Sequence, residues 1–155
     1  MRCAALAALA ACGDDIPGPS TGAPYAIVDK LAGYQRRMFA DDAALAAFAS
    51  GVTPDTFTLT LHTFTDGVAG SIFVRERRDG AWWSSSPSPG TIVDETPRIE
   101  PACDGCHDDH AEALGAFTLA ALREAAVRDR TARIDCPRDG TEPCDADVYR
   151  TFDFR

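Results

Sequence analysis

The chain has 155 residues and a formal net charge of −9, with 24 acidic side chains against 15 basic ones. That length suits one domain with a modest core, and the acidic balance argues against nucleic acid or anionic membrane faces as partners, whose phosphates it would repel. The basic residues are almost all arginine, Lys30 being the only lysine.

The first segment reads as an address. Met1-Arg2 is a minimal positive start and Cys3 to Ala11 an apolar run too short to span a bilayer. It ends in Leu9-Ala10-Ala11-Cys12, which resembles the lipobox of bacterial lipoproteins, whose cysteine is acylated and becomes the first mature residue. Residues 1–11 are therefore expected to be a signal segment, Cys12 a lipidation site and 12–24 a flexible tether rich in Gly, Pro, Ser and Thr. This places the protein in the bacterial cell envelope, lipid-anchored, facing the periplasm or the exterior. Disulfides persist in that oxidising setting.

The folded part is expected over 25–130, closed by a polar tail over 131–155. The class predicted is α+β: short N-terminal helices, an antiparallel β-meander or sandwich, a late cysteine motif, then C-terminal helices. From Pro24, the residues Ile27, Leu31, Tyr34 and Met38 fall at helical spacing and predict an amphipathic helix. A second short helix is capped by Asp41 or Asp42, holds Leu45 and Phe48 inside, and stops at Gly51. Thr56 to Phe64 alternates with period two and predicts a strand with Phe57, Leu59 and Leu61 on one face and Thr58, Thr60 and His62 on the other. Asp66-Gly67 and Asp79-Gly80 are turns, separating that strand from Ser71–Arg77 and from a third strand at Ala81-Trp82-Trp83. Ser84 to Ala102 is a Pro- and Ser-rich loop leading to the motif. After His107 a helix runs to Gly115, and another begins at Thr118 with Leu119, Leu122 and Val127 as its buried face.

The chemistry lies in Cys103-Asp104-Gly105-Cys106-His107. C-x-x-C-H is the attachment pattern for one covalent c-type haem: two thiols two residues apart reach the two vinyl groups of one ring edge, and the following imidazole becomes the proximal iron ligand. A structural zinc site would need further ligand pairs at ligand spacing, and a thioredoxin-like pair a βαβ context. The remaining cysteines agree: Cys3 leaves with the signal, Cys12 takes lipid, and Cys136 and Cys144 bracket a turn-like Pro137-Arg138-Asp139-Gly140 and are expected to pair. His110, one helical turn beyond His107, cannot reach the opposite side of the ring. Met38 has the spacing of a core residue; His62 is the candidate distal group or sixth ligand, with an unfilled distal position as the alternative.

The order of these parts resembles the cytochrome P-460 family and the related beta-type cytochromes c-prime. The likeness runs from about Tyr34 to Thr118 through Thr58-Leu59-Thr60-Leu61-His62, Asp79-Gly80-Ala81-Trp82-Trp83, the haem motif, and Phe117-Thr118. It implies a β-rich sandwich of two sheets around a pentacoordinate haem. Hydroxylamine-oxidising members crosslink a strand lysine to the porphyrin; the aligned position here is His62. The c-prime side implies binding of small diatomic gases, nitric oxide above all. Phe57, Phe64 and Phe73 are candidates for an apolar cap, and Arg75, Arg77 and Arg98 for the haem propionates, whose geometry arginine forks match.

The expected function is an exported monohaem cytochrome for electron transfer, small-ligand binding or both. Oxidation of hydroxylamine or a related nitrogen compound is the enzymatic alternative, and a haem-free thiol–disulfide protein the third. The partners expected are a redox protein or a small gas, the membrane through lipid only, no nucleic acid, and a second copy as a candidate homodimer.

Overall fold

The computed structural model describes residues 22–85, 117–140 and 143–155. Over these the class is α+β. Six strands form one mixed sheet: β1 (Ala26–Lys30), β2 (Tyr34–Ala40), β3 (Phe57–Thr65), β4 (Val68–Arg78), β5 (Ala81–Ser85) and β6 (Ala132–Cys136), in the order β5-β4-β3-β2-β1-β6. All neighbours are antiparallel except β1 and β6, which run parallel. Two helices, α1 (Asp42–Ala49) and α2 (Leu119–Arg128), join the sheet's core, and a 3-10 turn spans Val148–Arg150.

The three tight hairpins share one local cause. Ala32-Gly33, Asp66-Gly67 and Asp79-Gly80 all hold positive φ at both central residues, the turn whose twist matches paired strands. The first of these overturns the helix expected over residues 24–38. Gly33 folds the segment back on itself, so Ala26 pairs with Met38 and Val28 with Arg36. The helical spacing was coincidental: Leu31 sits in the turn and is exposed, while Ile27 and Tyr34 fall on opposite faces of the sheet. Lys30 is accordingly a strand residue.

The second expected helix forms as α1. Asp41 is its cap, accepting from the Ala44 amide at 2.7 Å through one carboxylate oxygen and from the Thr58 amide at 2.8 Å through the other. One side chain thus satisfies a helix end and ties it to β3. The meander β3-β4-β5 forms with the expected alternation.

The core lies between the helices and one sheet face. It joins Val28, Met38, Phe57, Leu59 and Ile134 from the strands to Ala44, Phe48, Leu119 and Leu122 from the helices. Phe48 meets Phe57 edge-on at 5.5 Å, and Phe57 meets Trp82 at 5.4 Å. Val127, expected inside, is 66% exposed; Ala121 and Ala125 turn inward instead, so a flat small-residue stripe allows close approach to α1. The tail contributes more than a polar closure. Ala132, Ile134 and Cys136 alternate inward on β6, and β6 extends the sheet beside β1.

Candidate functional site

Cys12, Arg98, Cys103, Cys106 and His107 lie outside the described residues, as do the signal segment and the helix expected after His107. The structure therefore bears on the residues expected around the cofactor rather than on its attachment.

His62 stands in the middle of β3, on the face turned away from the helices. Its cross-strand partners are Arg37 on β2 and Ile72 on β4. The side chain is only 7% exposed, and its Nε2 is buried with no hydrogen-bond partner among the described residues. The Phe39 ring lies 4.8 Å from the imidazole, tilted by 50°. Ile27, Thr60 and Val74 are buried on the same face. Burial lowers the imidazole pKa from its ordinary 6.5, because taking the cation out of water costs more than taking out the neutral ring. Burial thus favours the neutral imidazole, and its Nε2 has no partner among the described residues. Such a nitrogen can ligate a metal or hydrogen-bond a ligand, and an empty hydrogen-bonding position in a core is costly unless it is used.

The local backbone explains how His62 is aimed. The β3–β4 register shifts between His62 and Phe64: Gly70 and Ser71 stand opposite the single Thr63, so the extra residue of the bulge lies on β4. The Thr63 hydroxyl donates to the Ser71 carbonyl at 3.1 Å. Gly70 stands against it: a Cβ there would come 2.6 Å from Thr63 Oγ1, so only glycine lets the two strands close.

A polar ladder crosses the same face. Arg133 NH1 donates to Asp29 Oδ2 at 2.9 Å, Gln35 Nε2 to Asp29 Oδ1 at 2.6 Å, and Arg37 Nε to Gln35 Oε1 at 2.9 Å. The Arg37 guanidinium ends 4.1 Å from the centre of the Phe64 ring. Arg37 and Phe39 have no counterpart among the residues expected from the sequence, because residues 34–38 read there as helix; the alternation they obey becomes visible once Gly33 is seen as a hairpin residue.

Arg75 and Arg77 stand on the opposite face. Their register partners are Leu59 and Phe57, whose side chains point toward the helices, and their guanidinium groups lie 4.8 and 5.9 Å from the Trp82 ring. The structure brings Arg75, Arg77 and Trp82 together and separates all three from His62. Of the candidate cap residues, Phe57 is in the helix-side core and Phe73 shares that side, leaving Phe64 as the one on the face of His62.

Two other candidates are accounted for. Met38 packs on the helix side, where its sulfur accepts from the Thr118 hydroxyl at 3.7 Å; that hydroxyl also meets Tyr25 Oη at 2.7 Å, so Thr118 is the N-cap residue of α2 as expected but makes no side-chain cap hydrogen bond. Lys30 also faces the helix side, its Nζ donating to the Asp139 and Gly140 carbonyls at 3.2 and 2.6 Å. Cys136 and Cys144 form the expected disulfide, with their Cα atoms 6.1 Å apart. Among the described residues no three His, Cys, Asp or Glu side chains gather as metal ligands, and no helix is long and apolar enough to cross a membrane. No protein-family model, curated protein or solved structure matches the chain.

Proposed function

We propose that the protein is an envelope lipoprotein carrying one covalent c-type haem, and that it binds small ligands on the His62 side of its sheet. The observation that carries this reading is the run Cys103-Asp104-Gly105-Cys106-His107. Two features of the fold support it. Cys136 and Cys144 are committed to each other, so Cys103 and Cys106 have no cysteine partner in the folded domain other than one another. His62 offers a buried nitrogen with no partner among the described residues, beside the Phe39 ring, a group of the kind a haem pocket uses on its distal side.

In this reading Cys103 and Cys106 would hold the group and His107 would ligate its iron. The haem supplies an iron that changes oxidation state and takes up a small molecule. His62 and Phe39 line the face where that molecule arrives, His62 as a neutral hydrogen-bonding group and Phe39 as a wall excluding water. The resemblance to the cytochrome P-460 and beta-type c-prime family, with its late haem motif, is part of the same proposal, although the described residues form one six-stranded sheet rather than the sandwich of two that the resemblance implies. The oxidative alternative is less well supported, because the chain's only lysine is held by loop carbonyls on the other side of the sheet from His62.

A denaturing gel stained for haem, on protein made with cytochrome c maturation, tests the attachment. A band that survives boiling and disappears in Cys103→Ser/Cys106→Ser is expected; unstained protein would refute it. Ferrous spectra with and without nitric oxide then test ligand binding, and a low-spin spectrum unmoved by nitric oxide would count against it.

A further inference from the structure

We infer that the Arg37–His62 pair forms a subsite for small anions, giving this face a preference for anionic over neutral ligands; the inference rests on the haem reading above. Arg37 and His62 are direct cross-strand partners, so their Cβ atoms are about 5 Å apart on one face. His62 contributes a buried nitrogen that has no partner among the described residues. Arg37 contributes a positive charge that makes no ion pair among the described residues. Its Nε is held by an amide oxygen, that of Gln35, rather than by a carboxylate. Asp29, the acid beyond Gln35, is already paired with Arg133. Glu76, further along the same face on β4, is paired with Arg78.

The ladder also fixes where the charge sits. Gln35 and the Phe64 ring hold the guanidinium plane from two sides, so little side-chain freedom is left to lose on binding. A half-buried guanidinium next to a neutral imidazole presents charged donors and one further hydrogen-bonding nitrogen. That set suits a compact anion with two acceptor positions, such as nitrite or azide. A neutral gas draws on the imidazole and the apolar wall alone.

The test is optical titration of the intact ferric holoprotein with azide and, separately, with imidazole as a neutral ligand of similar reach. Arg37→Gln should raise the azide Kd relative to the imidazole Kd by about tenfold or more, since a charge-assisted contact is lost. Arg37→Met, which keeps the aliphatic stem against Phe64, should do the same and covers any folding failure of the first variant. Arg78→Gln, which removes one positive charge at the far end of β4, should leave the ratio unchanged. Haem-loaded Arg37 variants whose azide-to-imidazole ratio stays within about twofold of the parent would overturn the subsite while leaving the haem reading intact. Protein that takes up no covalent haem would overturn both.

Discussion

His62 on β3 and Arg75 on the adjacent β4 project from opposite faces of the sheet, although three residues of register separate them. A flat group lying on one face can meet only one of them. On the proposed reading that residue is His62, and Arg75 and Arg77 are then not expected to pair with the propionates. His62→Ala should therefore change the ferric absorption spectrum and the nitric oxide complex. An Arg75→Gln/Arg77→Gln double variant should leave both as they are and lose stability by roughly 1–2 kcal/mol through its contacts with Trp82. The reverse pattern would place the haem against Trp82.

His62 also makes stability depend on pH. Its folded pKa lies below the ordinary 6.5 because of burial, so the unfolded chain takes up the proton first as pH falls. The stability gained by burying a neutral ring is complete above about pH 6.5 and is lost as pH drops through the folded pKa. Urea midpoints of the haem-free Cys103→Ser/Cys106→Ser protein between pH 5 and 8 should fall on the acid side, and His62→Leu should flatten that fall. Equal slopes with and without His62 would show that the ring is solvated.

How much of this was legible beforehand depended on local signals. The strand at Thr56–Phe64 alternates without interruption, and Asp-Gly turns mark β4 and β5 on either side, so these elements and the side of His62 followed directly. The Asp41-Asp42 pair likewise announced α1, with Asp41 proving to be the cap. The β1–β2 hairpin was hidden because its turn is Ala32-Gly33, where alanine carries little turn signal, and because Ile27, Leu31 and Tyr34 imitate helical spacing. β6 was hidden for a different reason: Ala-Arg-Ile-Asp-Cys alternates over only five residues, and its partner β1 is about a hundred residues away. The Arg37 ladder could not be read without β2. Side-chain facing is a property of register, and register needs both strands.

Tyr25 closes the helix-side core with a titratable group. Its hydroxyl meets Thr118 at 2.7 Å, and full burial pushes its pKa up from 10.0 to about 12, the hydrogen bond to Thr118 offsetting part of the rise. A pKa raised in the folded state contributes stability that is present below pH 10 and lost as pH rises toward 12. The loss amounts to about 3 kcal/mol if the whole difference is realised. Tyr25→Phe should cost about 1 kcal/mol at pH 8, for the lost hydrogen bond, and should remove most of the alkaline loss. Denaturation midpoints at pH 8 and pH 11 check both halves; a variant as alkali-sensitive as the parent would assign the loss to another group.

The disulfide and Lys30 hold one loop from two sides. Cys136–Cys144 closes the loop, Lys30 Nζ binds the carbonyls of Asp139 and Gly140 within it, and the Leu31 amide donates to Arg138 O at 3.0 Å. Tyr149 Oη accepts from the Cys144 amide at 3.1 Å, so the far end is fixed as well. Cys136→Ser/Cys144→Ser should cost about 2–3 kcal/mol by restoring the loop's freedom in the unfolded chain. Lys30→Met should cost about 1–2 kcal/mol, because charged hydrogen bonds are lost while the stem stays packed. The two losses should not add. Once the disulfide is gone the loop carbonyls are no longer held over Lys30, so the triple variant should lose less than the sum by about 0.5 kcal/mol or more. Urea unfolding of the four proteins gives the coupling directly, and strict additivity would mean that Lys30 holds the loop without help from the disulfide.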